Sequence, residues 1–267
     1  MILRHSREPI DGQPAENTFE AIDERSGAQL GACTIYVSRN AELFPNRPVR
    51  IYLEISGNPA PDALLGASIA RAKEIGRQSG EPCRIFTQVA PEDKKGMATL
   101  DAFGFKDSDG LVLMQRALSS ESAGEPPLGS AVVKEVLDDP IEQDYFLERV
   151  NQLYNEDYGS EWLAEFMAHE GFMRILIVSP MGMLGEITLW QEGEAGVISW
   201  LHTAKKWRGK GIARCLLDLA CAEFAARGLK YARADVQARI PNLLHVLEHC
   251  GFRQAKLLQR YPGMDMN

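Results

Sequence analysis

The sequence of 267 residues lacks an excess of positive charge, long apolar runs and paired cysteines. It has 29 lysines and arginines against 37 aspartates and glutamates, for a formal net charge of −8. Because an acidic surface repels phosphate backbones, we expect no nucleic-acid partner. No apolar run approaches the roughly 20 residues that a membrane span needs, so we expect no membrane association. The five cysteines form no CxxC pair and the N-terminus has no apolar signal segment, which predicts a reduced, cytoplasmic protein.

The composition is that of an ordinary globular protein, with 45% hydrophobic and 25% charged residues. Residues 119–130, SSESAGEPPLGS, are small, polar and rich in proline and glycine, which is typical of an exposed linker. We therefore predict a first domain over residues 1–118, a linker over 119–130 and a second domain over 131–267. Both domains have a size that single domains commonly have.

Both predicted domains carry the same order of elements. Strands rich in β-branched and aromatic residues precede a long helix, which is followed by a strand, a short helix ending in Gly-Phe and a closing segment. The long helix ends at Gly80 in the first domain and begins near Gly211 in the second. Strands interleaved with helices predict a mixed α/β or α+β architecture, and the matching order suggests an internal duplication.

Residues 205–217, KKWRGKGIARCLL, join a predicted strand to an amphipathic helix. Gly209 and Gly211 let the backbone approach a ligand closely, and the first amides of a helix have no partner within it. Since the helix dipole is also positive at that end, the segment predicts an anion site, most naturally for a pyrophosphate. The alternative is a glycine-rich turn with solvated lysines; neither a Walker A loop nor GxGxxG is present. Five cations lie within ten residues: Lys205, Lys206, Arg208, Lys210 and Arg214.

Two motifs of the second half resemble those of the GNAT superfamily of N-acetyltransferases. Residues 208–213, RGKGIA, resemble its acetyl-CoA signature R/Q-x-x-G-x-G/A, and residues 246–252, VLEHCGF, resemble its second motif. The first half resembles the same fold with an emptied motif, because residues 56–62, SGNPAPD, contain two prolines and no cation. The resemblance implies an α+β protein with two GNAT-like domains. Each would have a central, mostly antiparallel sheet flanked by helices, and the first would be non-catalytic.

The resemblance also implies an activity, the transfer of an acetyl group from acetyl-CoA to a primary amine, with acetyl-CoA as co-substrate and no metal. The strand before the loop would pair with the pantetheine arm, and the loop amides would hold the pyrophosphate. The helix-start asparagine of the second motif stands two residues later than usual. The implied acetyl-CoA contacts are Leu201, His202, Thr203, Arg208, Gly209, Lys210, Gly211, Ile212, Ala213, Arg214 and Asn242.

The catalytic acid and base differ in how well the sequence fits the family. Asp235 stands 16 residues before Gly251, where ribosomal-protein alanine acetyltransferases have a glutamate, so the resemblance implies a general base that works through a water. Alternatively, Asp235 only pairs with a nearby arginine. The tyrosine that usually serves as the acid falls at Leu247, so this group is missing.

The acceptor side carries a strong local charge. Residues 135–170 hold eleven acids and one base, Arg149, and the GNAT fold places two helices over the acceptor here. Carboxylates mixed with aromatic rings suit an ammonium group, which predicts a cationic acceptor such as a polyamine, an aminoglycoside-like amine or an amino terminus. The alternative is two solvated amphipathic helices. The predicted acceptor residues are Tyr154, Asp157, Tyr158, Glu161 and Trp162.

Three other interpretations remain. Residues 245–249, HVLEH, match an inverted zincin pattern, but no third ligand is placed by any recognisable spacing, so we expect no metal. The protein could instead be a non-catalytic acetyl-CoA-binding sensor or regulatory module, or it could transfer a larger acyl group. The expected partner is a small-molecule or peptide amine, and the expected state is a monomer or homodimer.

Overall fold

The computed structural model describes residues 1–57, 60–119 and 124–267. The elements up to the linker are β1 (Ile2–His5), β2 (Thr18–Ile22), β3 (Gln29–Arg39), β4 (Val49–Ser56), α1 (Asp62–Ser79), β5 (Cys83–Thr87), α2 (Lys94–Ala102) and β6 (Gly110–Ala117). Those that follow are β7 (Ala131–Glu135), α3 (Pro140–Tyr154), α4 (Ser160–Met167), β8 (Met173–Ser179), β9 (Gly182–Glu192), β10 (Ala195–Thr203), α5 (Ile212–Ala226), β11 (Tyr231–Gln237), α6 (Pro241–His249), β12 (Arg253–Arg260) and β13 (Gly263–Met266).

The chain forms two compact units, each built on one mixed sheet. Unit 1 has the strand order β1-β2-β3-β4-β5-β13, and its strands pair antiparallel except for the parallel pair β4–β5. Unit 2 has the order β12-β6-β11-β10-β9-β8-β7, in which β10 pairs parallel with β11 and antiparallel with β9. This confirms the predicted α+β fold with two mostly antiparallel sheets and flanking helices.

The division of the chain differs from the one drawn at the linker. Unit 1 consists of residues 1–111 and 258–267, and unit 2 of residues 112–257. The reason is strand pairing: β6 lies between β12 and β11 in the second sheet, while β13 pairs with β5 in the first. Composition alone does not indicate that β6 joins the second sheet and β13 the first. Part of the predicted linker, residues 120–123, lies outside the described residues.

Helix α5 covers one face of the unit 2 sheet with the apolar face that the sequence predicts. Ile212, Leu216 and Phe224 are buried there, at spacings that keep them on one side of the helix. The contact with the sheet is tight, because a Cβ on Gly196 of β10 would lie 2.2 Å from the Phe224 ring. Close packing at this point fixes the end of α5 against the start of β10, and at the start of α5 a Cβ on Gly185 of β9 would lie 2.9 Å from Ile212.

Helices α3 and α4 pack on the opposite face of the same sheet around Phe146, Val150 and Trp200. A bulge in β10 makes this possible. The register with β9 shifts between Ile198 and Trp200, so one extra residue turns Trp200 to the face opposite Ile198, which packs with α5. Among the described residues, no helix is long and apolar enough to cross a membrane.

Candidate functional site

A gap opens between two parallel strands of unit 2. Strands β10 and β11 pair at only three positions, from Ala195–Tyr231 to Val197–Arg233, whereas β10 stays paired with β9 as far as Thr203. Within the described ranges, the backbone of residues 198–203 therefore has an edge that β11 does not occupy. Such an edge can form β-type hydrogen bonds with an extended ligand that carries amides. Three predicted pantetheine contacts lie on it: Leu201, His202 and Thr203.

The glycine loop follows directly. After a short 3-10 helix, Lys205–Trp207, Gly209 and Gly211 adopt φ values of 72° and 81°, which L-residues rarely adopt. A Cβ on either glycine would meet no atom within 4 Å, so the space in front of the loop is open. The hydrogen bonds of α5 begin with Cys215 N to Gly211 O, and the amides of residues 212–214 consequently have no acceptor in the helix. Open glycines before unbonded amides fit a pyrophosphate.

The five predicted cations of the loop are all exposed. Arg208 Nε donates to Thr203 O at 3.1 Å, and Lys210 Nζ lies 4.5 Å from the Trp207 ring centre. Arg214 forms an ion pair with Asp218 at 3.9 Å, which joins partly solvated groups and contributes little to stability. The five exposed cations give this surface a local concentration of positive charge, which attracts anions.

Two of the predicted acetyl-CoA contacts lie in other surroundings. The side chain of Ile212 is buried in the core against the sheet, so only its backbone amide faces the loop. Asn242 is exposed as the second residue of α6, directly after Pro241. The helical spacing of apolar residues along α5 predicts that the Ile212 side chain is in the core. The position of Asn242, by contrast, depends on the residue at which α6 begins.

Asp235 borders the gap from the β11 side. It lies two residues beyond Arg233, the last residue paired with β10, and it projects from the face opposite the buried Ala234 and Val236. Partial loss of water raises the pKa of its carboxyl group, although the charge of Arg233 acts in the other direction. Arg233 forms its ion pair with Glu192. The raised pKa makes this carboxylate a stronger base than an ordinary aspartate, and it lies at the edge of the gap.

The usual position of the acid holds a core residue. Leu247 on α6 is completely buried and belongs to the same apolar cluster as α5. It offers no proton donor, and substitution by tyrosine would place a hydroxyl group in that core. The structure therefore agrees with the sequence that an acid at this position is missing.

The structure separates the predicted acceptor residues into two groups. Tyr158 and Trp162 are partly buried and stack with ring centres 4.5 Å apart, whereas Tyr154 is 42% exposed and meets Trp200 edge to face at 5.7 Å. The carboxylates of Asp157 and Glu161 are exposed. The prediction of one mixed aromatic and acidic surface is thus only partly reproduced, because Trp162 also stacks on Phe166 and belongs to the core beneath α4.

Asp157 also lines a shallow cavity of about 730 Å³ at the end of α3. The other residues of its wall are not among the predicted acceptor residues. Their signal was available as a polar stripe at helical spacing, since residues 148, 151 and 152 share one face of α3 and residue 155 directly follows the helix. The described residues that line the cavity are Glu148, Asn151, Gln152, Asn155, Glu156 and Asp157.

No group of three or more metal-ligating side chains is found among the described residues. His245 and His249 are exposed on α6 with ring centres 4.0 Å apart, and His249 Nδ1 lies 2.8 Å from His245 O. The pair has no third ligand in the described part of the chain.

The sequence pattern of the acetyltransferase (GNAT) family matches residues 139–252, which span α3 to α6. Unit 2 is a GNAT-family acetyltransferase domain. The resemblance read from the two motifs is therefore confirmed, and this domain is an acyltransferase that carries out acetyl transfer. No curated protein sequence matches the chain.

Solved structures show the same fold at low sequence identity. A GCN5-related N-acetyltransferase from Sphaerobacter thermophilus is 15% identical, with a TM-score of 0.54 over 97% of this chain and 82% of that one. A probable N-acyltransferase from Enterococcus faecalis V583 is 8% identical, with a TM-score of 0.55 over 92% and 61%. A GCN5-related N-acetyltransferase from Anabaena variabilis ATCC 29413 is 11% identical, with a TM-score of 0.50 over 94% and 63%. These similarities concern the fold, and they extend over both units.

Proposed function

We propose that unit 2 is an acetyl-CoA-dependent N-acetyltransferase that acts on the primary amine of a cationic acceptor. The observation that carries the proposal is the gap between β10 and β11, which leads into the glycine loop at the start of α5. An extended ligand lying along β10 would have its amides on the strand edge and its pyrophosphate on the loop amides. Acetyl-CoA has this arrangement of groups.

We propose the following steps for the transfer. The protonated amine gives a proton to Asp235, through one water because the carboxylate is short. The neutral nitrogen then attacks the thioester carbonyl carbon, and the bond from carbon to sulfur breaks. Since Leu247 provides no proton, the CoA thiolate takes one from solvent. The amide nitrogen loses its remaining excess proton, so that the products are an acetylated amine, free CoA and one proton.

We further propose that unit 1 does not bind acetyl-CoA. Strands β4 and β5 pair over five positions, so a corresponding gap is largely closed. A Cβ on Gly57 would lie 2.5 Å from Leu30 O, which leaves little space before α1. Helix α1 starts after Pro61 with the acidic Asp62, and Leu64 N already bonds Pro61 O at 2.9 Å. Residues 58–59 of the predicted degenerate loop lie outside the described residues.

The acceptor is proposed to be cationic because the face beside α3 and α4 is acidic. Asp157 and Glu161 are exposed there, and Asp157 lines the cavity with Glu148 and Glu156. Screening acts on such exposed charges over a Debye length of roughly 8–10 Å. Added salt should therefore raise the KM of a cationic amine and leave the affinity for acetyl-CoA less affected.

A panel of amines tests the acceptor class through release of the CoA thiol. Polyamines, aminoglycosides and peptides with a free amino terminus should be acetylated faster than amines that carry carboxylates. The double variant Asp157→Asn, Glu161→Gln should raise the KM of the best amine and spare acetyl-CoA binding. A preference for anionic acceptors, or a KM that neither salt nor the double variant changes, would contradict the cationic assignment.

The second candidate is a sensor that binds acetyl-CoA without turnover. One observation favours it, namely the buried Leu247 where the family usually has its acid. Binding of acetyl-CoA with no thiol release for any amine in the panel would select this function. Transfer of a longer acyl group is tested in the same assay by replacing acetyl-CoA with longer acyl-CoA thioesters.

A further inference from the structure

A buried carboxylate on β9 connects the acceptor helix to the strand that borders the gap. Glu186 is completely buried, and its oxygens accept hydrogen bonds from Arg149 Nε and Nη2 at 2.7 and 3.1 Å. Arg174 Nε donates to it at 2.8 Å and Trp200 Nε1 at 3.2 Å. Four donors therefore converge on one carboxylate, and they come from α3, β8 and β10.

The fold favours the ionised form of this carboxylate. Burial alone would raise the pKa of Glu186, but the hydrogen bonds from Arg149 and the charges of Arg149 and Arg174 lower it below its ordinary value. Arg174, which is 1% exposed, also contacts Glu135 at 2.6 Å and Glu142 at 3.1 Å. The two arginines thus balance the negative charge of Glu186, and its oxygens have hydrogen-bond donors without any water or ligand.

Buried ion networks of this kind stabilise a fold little more than apolar side chains of the same size would. Their geometric effect is larger, since each donor is held at a fixed distance and angle. We therefore expect the main effect of Glu186 to be on the positions of its partners and not on the free energy of unfolding.

One target of this fixation is Trp200. It lies on the part of β10 that β11 does not support, just after the bulge, and its position depends on β9 and on the Glu186 hydrogen bond. The Trp200 ring is parallel to the ring of His202 at 5.9 Å and meets Tyr154 edge to face. Trp200 thus stands between the strand edge of the gap and the last residue of α3.

The other target is α3 itself. Arg149 ties the middle of this helix to Glu186, and two residues later Asn151 holds the loop to α4. The Asn151 side chain donates to Tyr158 O at 3.0 Å and accepts from Tyr158 N at 2.8 Å. Tyr154 and Asp157 lie between Arg149, which is attached to Glu186, and Tyr158, which is attached to Asn151.

We propose that Glu186 is a positioning residue for the amine acceptor. Through Trp200 and Arg149 it holds the end of α3, with Tyr154 and Asp157, in register with the exposed edge of β10. Among the described residues, the hydrogen bonds of the Glu186 side chain reach α3, β8 and Trp200 but not the glycine loop, and the backbone edge of β10 is held by its pairing with β9 as far as Thr203, so acetyl-CoA binding should be largely spared. This proposal rests on the acetyl transfer proposed above.

The test compares two variants that each remove one carboxylate from a partly or fully buried ion network in unit 2. Glu186→Gln keeps the size of the side chain and removes its charge. Glu223→Gln is the matched control, because Glu223 on α5 contacts Lys134 at 2.6 Å and Arg227 at 2.9 Å but neither α3 nor Trp200. Both should lower thermal stability. Only Glu186→Gln should raise the KM of the amine or lower kcat, by about tenfold or more, as expected for a misplaced acceptor.

Three measured quantities decide the outcome: the Kd for acetyl-CoA, the KM of the amine and kcat. Calorimetry should give a Kd for acetyl-CoA within about twofold of the wild type for both variants, as expected when loop and acceptor face are independent. Unchanged amine KM and kcat in folded Glu186→Gln would overturn the proposal, and so would an equal loss of acetyl-CoA affinity.

If Glu186→Gln does not fold, Arg149→Gln replaces it. This change releases α3 and leaves the contact of Arg174 with Glu186 in place. It should raise the amine KM in the same direction, and an unchanged KM would again overturn the proposal. Absence of wild-type turnover would instead refute the proposed function, so the two failures are distinguishable.

Discussion

Gly211→Leu separates ligand binding from folding in the glycine loop. The wild-type φ of 81° disfavours any L-residue, and the substitution should cost about 1–2 kcal/mol of unfolding free energy. A new Cβ meets no atom within 4 Å, so no steric penalty is added in the ligand-free protein. A domain of ordinary stability, about 5–15 kcal/mol, tolerates this cost. The leucine side chain would, however, stand in the open space before the amides of α5.

Binding should suffer far more than folding. A pyrophosphate that loses two amide donors forfeits about 3–6 kcal/mol if each charge-assisted bond contributes roughly 1.5–3 kcal/mol. Since every 1.4 kcal/mol is about tenfold in affinity, the expected Kd for acetyl-CoA rises by about a hundredfold or more. Isothermal titration calorimetry measures this directly.

Gly228→Leu is the matched control for that substitution. Gly228 follows the other end of α5, with a φ of 76° and likewise no atom within 4 Å of an added Cβ. The same backbone strain should give the same small loss of stability, with unchanged affinity for acetyl-CoA. If Gly211→Leu binds acetyl-CoA as well as Gly228→Leu does, the loop is not the pyrophosphate site.

Three further predictions concern the whole chain. Calorimetry should find one CoA per chain, and two equivalent sites would show that unit 1 also binds it. Removal of residues 263–267 deletes β13 and the Asp265 carboxylate that the buried Arg84 contacts at 2.9 Å. The free energy of unfolding of unit 1 in denaturant should therefore fall by about 3–5 kcal/mol, and an unchanged value would refute the strand assignment. Because the pKa values of Glu186 and Glu223 are lowered in the fold, their stabilisation is complete above the unfolded pKa of about 4.3 and declines as pH falls through the lower folded values. Glu186→Gln should flatten this acid limb, and an unaltered limb would contradict the charge assignment.

The parts of the fold that local pattern determines were predictable. The apolar spacing of Ile212, Leu216 and Phe224 predicted the buried face of α5, and the two glycines with their flanking cations predicted the loop. These features depend on residues that are neighbours in sequence. The GNAT resemblance depended on the same short segments.

Features that depend on distant pairing were not predictable. The exchange of β6 and β13 between sheets requires strands separated by most of the chain to meet. The bulge after Ile198 reverses which face Trp200 occupies, and strict strand alternation cannot anticipate it. Glu186 reads as an ordinary polar residue in a strand, since its two arginine partners lie 37 and 12 positions earlier.

The central claim is that unit 2 uses acetyl-CoA to acetylate an amine, and product stoichiometry tests it most directly. The wild-type protein is incubated with acetyl-CoA and the best amine of the panel, and free thiol and acetylated amine are measured together, by thiol titration and mass spectrometry. We predict equal amounts of both, formed at many turnovers per chain, and neither product with Gly211→Leu at acetyl-CoA concentrations that the wild type requires. Thiol release without acetylated amine, or tight binding of acetyl-CoA with no turnover, would contradict the account.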